Sequence, residues 1–172
     1  IGIAATIVDK VMPASFSKGI YFTLGNQELP IHINKLREEE KVDLIIVISH
    51  LGFPQEMKLA EEVNGIDVLL SAHTHNRLYK PAIVNNTVLI QSGCHGSFIG
   101  RLDLNITERQ KIKFKHQLIT VKESIRPNPH VEDRVNKVLD PDRDWLNQVV
   151  SYTMTGLNRN TVLESTMDNF LL

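Results

Sequence analysis

Apolar residues fall along this chain in three rhythms. Residues 42–48 and 66–70 are almost continuously apolar. Such runs predict strands covered on both faces, as in a parallel sheet. Residues 2–8 read the same way, as a buried strand, and residues 20–24 as a short edge strand. Elsewhere the spacing is helical. Ile31, Ile33 and Leu36 predict a helix from Glu28 or Pro30 to Lys41, with the charged run 37–41 as its solvated end. Met57, Leu59, Ala60 and Val63 predict a second helix, closed by Asn64-Gly65. Beyond residue 75 the rhythm becomes alternation. Residues 81–84 and 87–90 flank Asn85-Asn86, a two-residue hairpin turn. Residues 98–106 and 112–121 alternate and predict antiparallel strands with one wet face. Val131, Val135, Val138 and Leu139 predict a helix that begins near His130, is broken at Pro141 and continues through Trp145, Leu146, Val149 and Val150. The order strand, helix, strand, helix, strand predicts a layered α/β fold.

Composition narrows the picture. At 172 residues, 42% hydrophobic and 23% charged, the chain has the length and balance of one globular domain with a real core. A net charge of −1, with no block of like charge, gives no reason to expect nucleic acid or an anionic membrane as partner. No apolar run approaches the roughly 18 residues of a membrane span. A single cysteine, Cys94, excludes an internal disulfide framework. The chain starts at Ile1 inside an apolar run and stops at Leu172 in another, so it reads as a piece of a longer protein.

The candidate chemistry sits where two buried strands end. His50 closes the run 43–50, and Ser71-Ala72-His73-Thr74-His75 follows the run 66–70. In open α/β sheets functional groups collect at the carboxyl ends of strands. One histidine there is an ordinary rim residue. Histidines at equivalent places on neighbouring strands read as metal ligands, and imidazole suits zinc, manganese, iron, cobalt or nickel. If the backbone stays extended, His73 and His75 point to one side and share a metal or serve two adjacent ones. His32, His116 and His130 have no partner nearby in sequence and read as ordinary residues. His95 lies in the Gly-rich turn Ser92-Gly93-Cys94-His95-Gly96-Ser97, which could reach the same site as a rim residue, with a plain loop the simpler reading. Cys94 has no activating group beside it except His95 and is not read as a nucleophile.

These residues resemble the later part of the calcineurin-like metallophosphoesterase domain, in its 5′-nucleotidase group, which includes UDP-sugar hydrolases, cyclic-nucleotide phosphodiesterases and sulfate thiohydrolases. The resemblance rests on Asp43 to Phe53 with Ser49-His50-Leu51-Gly52, on Gly65-Ile66-Asp67-Val68-Leu69-Leu70, and on His73-Thr74-His75. Gln91-Ser92-Gly93, Gly100-Arg101-Leu102 and the stretch from Leu163-Glu164-Ser165 to Phe170 also fit. It implies part of a layered α-β-β-α sandwich with a mixed sheet. Residues 1–125 would be the later part of the metallophosphoesterase domain, 126–160 a linker helix region, and 161–172 the start of a C-terminal substrate-recognition domain. It further implies a phosphoester hydrolase, 5′-nucleotidase-like, in which two divalent metal ions activate water for attack on phosphorus. His50 and His73 would bind one ion and His75 the other, and the substrate would be a nucleotide or another small phosphoester. The family's Asp-x-His, Gly-Asp and Gly-Asn-His-Glu motifs are not in this chain. Its catalytic histidine belongs to the last of these, so no catalytic residue is assigned here and the chain alone is expected to be inactive. With the upstream half elsewhere, one face of residues 1–8 and 42–48 is expected to lose its cover. Ser71-Ala72 departs from the family's usual Gly-Gly. Two other readings stay open: a mononuclear zinc hydrolase on His50, His73 and His75, and a non-catalytic binding module.

Overall fold

The computed structural model describes residues 1–106, 112–159 and 165–171. They form two units, Ile1–Ser124 and Ile125–Leu172. In the first, a mixed five-stranded sheet has the order β1-β2-β3-β5-β4. Its strands are β1 (Gly2–Ile3), β2 (Ile46–Ser49), β3 (Val68–Ser71), β4 (Ala82–Val84) and β5 (Thr87–Ile90). The first four strands in that order pair in parallel, and β4 pairs with β5 in the antiparallel sense through Asn85-Asn86. A short helix, α1 (Val8–Val11), follows β1, and α2 (Glu28–Asn34) runs on into a wider turn at Lys35–Glu39. The crossover from β2 to β3 is α3 (Phe53–Glu62). A long antiparallel pair follows, β6 (Phe98–Ile106) and β7 (Ile112–Thr120).

Alternation along the strands sends residues to two faces. Val47, Leu69 and Leu89 stand side by side on β2, β3 and β5, and each is 0% exposed. They face Leu29 and Ile33 of α2 and Leu59 of α3, together with Val63. On the other face Val68, Val88 and Ile90 meet Ile46, Leu70, and Leu102 and Leu104 of β6. β3 and β5 are therefore covered on both sides, by helices and by a β layer, and their sequences run apolar without alternation. On β2 the second face is barer, with Ile48 61% exposed, in line with the expected loss of cover over residues 42–48.

Three expectations change. The strand expected over residues 2–8 is only Gly2–Ile3. Its parallel partner β2 runs out at Ser49, which pairs with Ile3, so later residues have no ladder to join. Ile20–Leu24 carries no strand among the described residues. Arg37 is more than the solvated end of a helix. Its guanidinium donates to Val42 O at 2.9 Å and forms a half-buried ion pair with Asp67. Asp67 also accepts the Ile45 N–H at 2.6 Å, so β2 begins at Ile46 and not at Val42.

The second unit begins with α4 (Pro129–Leu139). Proline fits the first helical turn, and the Asn128 side chain caps it by accepting from His130 N at 3.0 Å and Val131 N at 3.4 Å. Asp140–Asp142 forms a tighter turn at Pro141, and α5 (Arg143–Leu146) stops short of Val149 and Val150. Ser165 precedes α6 (Thr166–Leu171), and its hydroxyl caps the helix by accepting the Asp168 N–H at 3.1 Å while donating to the Asp168 carboxylate. Leu163 and Glu164 of the motif read from the sequence lie outside the described residues.

Candidate metal centre

His50 follows β2 directly, and His73 and His75 follow β3, so the parallel register of the two strands brings both ends to one edge of the sheet. A cleft of about 400 Å³ opens there, lined by His50, His73, His75 and His95 with Ser71, Ser92 and Cys94. The turn carrying His95 does approach the site. It is tied to the His75 loop by Gly93 N–H to Asn76 O at 2.9 Å, and by an antiparallel bridge between Arg77 and Ser92. His32, His116 and His130 do not line the cleft.

The four imidazoles fall into two pairs. The His50 and His73 rings meet edge to face with centroids 5.0 Å apart, and the His75 and His95 rings do so at 5.9 Å. Two imidazoles bound to one ion at about 2 Å through ring nitrogens place their centroids on the order of 5 Å apart. The first pair fits a shared divalent ion, and the second is spread wider. Among the described residues no three His, Cys, Asp or Glu side chains gather closely enough to hold an ion.

The His73 to His75 segment is not the extended continuation expected from the sequence. His73 has φ 73°, His75 φ 58° and His95 φ 55°. Six described non-glycine residues have positive φ, and three of them are these cleft histidines. Such backbone costs on the order of 1–3 kcal/mol per residue and persists only where its surroundings enforce it. It turns successive side chains through the bend, so the two-residue rule for strands does not set where His73 and His75 point.

A buried polar network surrounds the loops; of its two central residues, the sequence pattern left Glu56 unread and gave Gln91 only within the family resemblance. Glu56 on α3 is 0% exposed and Gln91 after β5 is 1% exposed. Glu56 Oε1 accepts the N–H of Leu51 at 3.2 Å and of Gly52 at 3.3 Å, and Oε2 accepts the Ser71 hydroxyl. Thr74 Oγ1 accepts the Phe53 N–H at 3.1 Å, joining the two histidine loops directly. Gly52 must be glycine in this arrangement. Its φ is 94°, and a Cβ there would stand 2.9 Å from Thr74 Cγ2. A signal for Glu56 was present: it lies three, four and seven positions before Leu59, Ala60 and Val63, on the apolar face of its helix.

Comparison with known proteins defines the class and then the group. No family model matches the chain. The chain is 27% identical to the sulfate thiohydrolase SoxB of Thermus thermophilus and superposes on its structure with a TM-score of 0.86, covering 99% of this chain and 32% of that one. A 5′-nucleotidase precursor of Thermus thermophilus shares the fold at TM-score 0.65 and 17% identity, over 76% of this chain and 29% of that one. The trifunctional nucleotide phosphoesterase YfkN of Bacillus subtilis is 30% identical over 159 residues, which are 89% of this chain and 11% of that protein. The venom 5′-nucleotidase of Naja atra is 25% identical over 173 residues, 88% of this chain and 32% of that protein. The fold is that of a metallophosphoesterase. The chain belongs to the 5′-nucleotidase group of the calcineurin-like metallophosphoesterases, and it spans a third or less of the length of these relatives. Membership implies divalent metal as cofactor. No helix among the described residues is long and apolar enough to cross a membrane.

Proposed function

We propose that the protein carrying this chain is a metal-dependent phosphoester hydrolase acting on nucleotides, and that His50 and His73 hold one divalent ion while His75 serves a second. The observation that carries this reading is the His50–His73 ring pair, 5.0 Å apart at the carboxyl ends of adjacent parallel strands. The donor set is imidazole, which suits zinc, manganese, iron, cobalt or nickel. Bound divalent ions would supply positive charge against the phosphoryl oxygens. The chain's own residues orient the site. The positive φ of His73 and His75 aims two successive imidazoles from one short loop, and His95 stands on the rim beside His75. The general acid or base and the remaining ligands would come from residues outside this chain, and the isolated chain would be inactive. Residues 1–125 form the later part of the hydrolase domain in this reading, 126–160 a linker, and 161–172 the start of a substrate-recognition domain.

The test is hydrolysis of nucleoside monophosphates by the full-length protein loaded with manganese(II), together with metal analysis. His50→Ala and His73→Ala are each expected to lose bound metal and at least 100-fold in kcat/KM. Retention of full metal content by both variants would overturn the assignment. A second reading, hydrolysis of a sulfate–thiol linkage, is favoured by the TM-score of 0.86 to SoxB. The same protein assayed for release of sulfate and of phosphate separates the two.

A further inference from the structure

We infer that Gln91, acting with Thr74, is the positioning residue that holds His73 and His75 in their metal-binding conformation. The inference rests on the metal reading above and concerns residues that do not touch the ion. A carboxamide has two N–H donors and two acceptor sites, and all four are used here. Gln91 Nε2 donates to Ala72 O at 2.7 Å and to Ser71 Oγ at 2.8 Å. Oε1 accepts the Asn76 N–H, and Thr74 Oγ1 lies 3.2 Å from both amide atoms.

The partners flank the ligands. Ala72 precedes His73, Thr74 separates the two histidines, and Asn76 follows His75. One side chain therefore reads the loop immediately before, between and after the two residues with left-handed backbone. An N–H faces Oε1 and a carbonyl faces Nε2, so these backbone groups fix the amide orientation, and the amide in turn fixes them. The chain of bonds then passes from Gln91 through Ser71 to Glu56 and on to the N–H groups of Leu51 and Gly52, beside His50. Both loops are thereby set against one buried scaffold. Groups behind the ligands of a metal site tune its affinity by orienting those ligands.

The experiment is manganese(II) titration of the full-length protein by calorimetry, beside unfolding of each variant in a chelator. Thr74→Val removes the hydroxyl at constant shape on an exposed loop, and Thr74→Ser keeps it. Gln91→Glu keeps the shape but presents a carboxylate oxygen to the Ala72 carbonyl. Thr74→Val and Gln91→Glu are expected to weaken manganese binding by about 10–100-fold. Thr74→Ser is expected to bind within threefold of the parent. The chelated forms of Thr74→Val and the parent should unfold at the same denaturant midpoint, which a merely structural role would not give. Parent-like affinity in both Thr74→Val and Gln91→Glu would overturn the positioning role while leaving the metal reading intact. Failure of the unmodified protein to bind manganese or zinc would overturn both.

Discussion

Arg37 and Asp67 meet in a half-buried ion pair, and the same Asp67 carboxylate takes the Ile45 N–H, so one side chain ties α2's extension to the residues just before β2 and β3. Removing it strands a guanidinium and a backbone donor together. Asp67→Ala is expected to cost about 2–4 kcal/mol in urea unfolding. Lys41→Ala breaks only an exposed contact with Glu38 at 3.6 Å and should change stability by less than about 0.5 kcal/mol.

Leu69 lies at the centre of the row Val47, Leu69, Leu89, with neighbours on both flanking strands and helices above. Leu69→Ala is expected to lose about 2–5 kcal/mol, from transfer and from the cavity left behind. Ile83, on the edge strand β4 and more than half exposed, should lose less than about 1 kcal/mol on the same change. Equal losses at both positions would contradict the layered core.

Gly52→Ala should cost at least about 1 kcal/mol, because it adds a side chain at φ 94° and drives it into Thr74. Its effect should extend to metal binding, since Thr74 sits between the two ligands. Chelator competition against zinc would show the loss of affinity, and chemical unfolding the loss of stability.

The pairing of the histidines makes a prediction about additivity. If His50 and His73 serve one ion, the double variant should lose no more metal than either single variant. His50→Ala combined with His75→Ala should lose both ions. Metal analysis per chain decides the matter, and full additivity between His50 and His73 would break the pairing.

Much of the frame was legible because burial on two faces writes itself as unbroken hydrophobicity. The runs ending at Ile48 and Leu70 became β2 and β3, and Asn85-Asn86 made the hairpin turn. The helix through Met57, Leu59 and Ala60 was equally plain, although it starts at Phe53 and closes at Glu62, with Val63 extended after it. What the pattern could not carry was pairing. Residues 4–7 have strand composition but no strand to pair with, since β2 ends first, and Val8 opens α1 instead. Arg37 sat in a charged run that looked solvated, and its partner lies 30 positions away. At the site, the ends of the strands placed His50, His73 and His75 near one another. The left-handed backbone was not read, because histidine, though enriched at positive φ among non-glycine residues, adopts it in only a small minority of positions. His95 was separable from an ordinary loop residue only by the bridge between Arg77 and Ser92.

The amide protons of Leu51, Gly52 and Asn76 all point into side chains that solvent scarcely touches. Loops are usually the first parts of a protein to exchange with deuterium, and central strands the last. Here the usual contrast should vanish at three positions: these loop protons are expected to exchange as slowly as those of β3. The site would then open on the timescale of global unfolding, and substrate would meet loops already in their final shape.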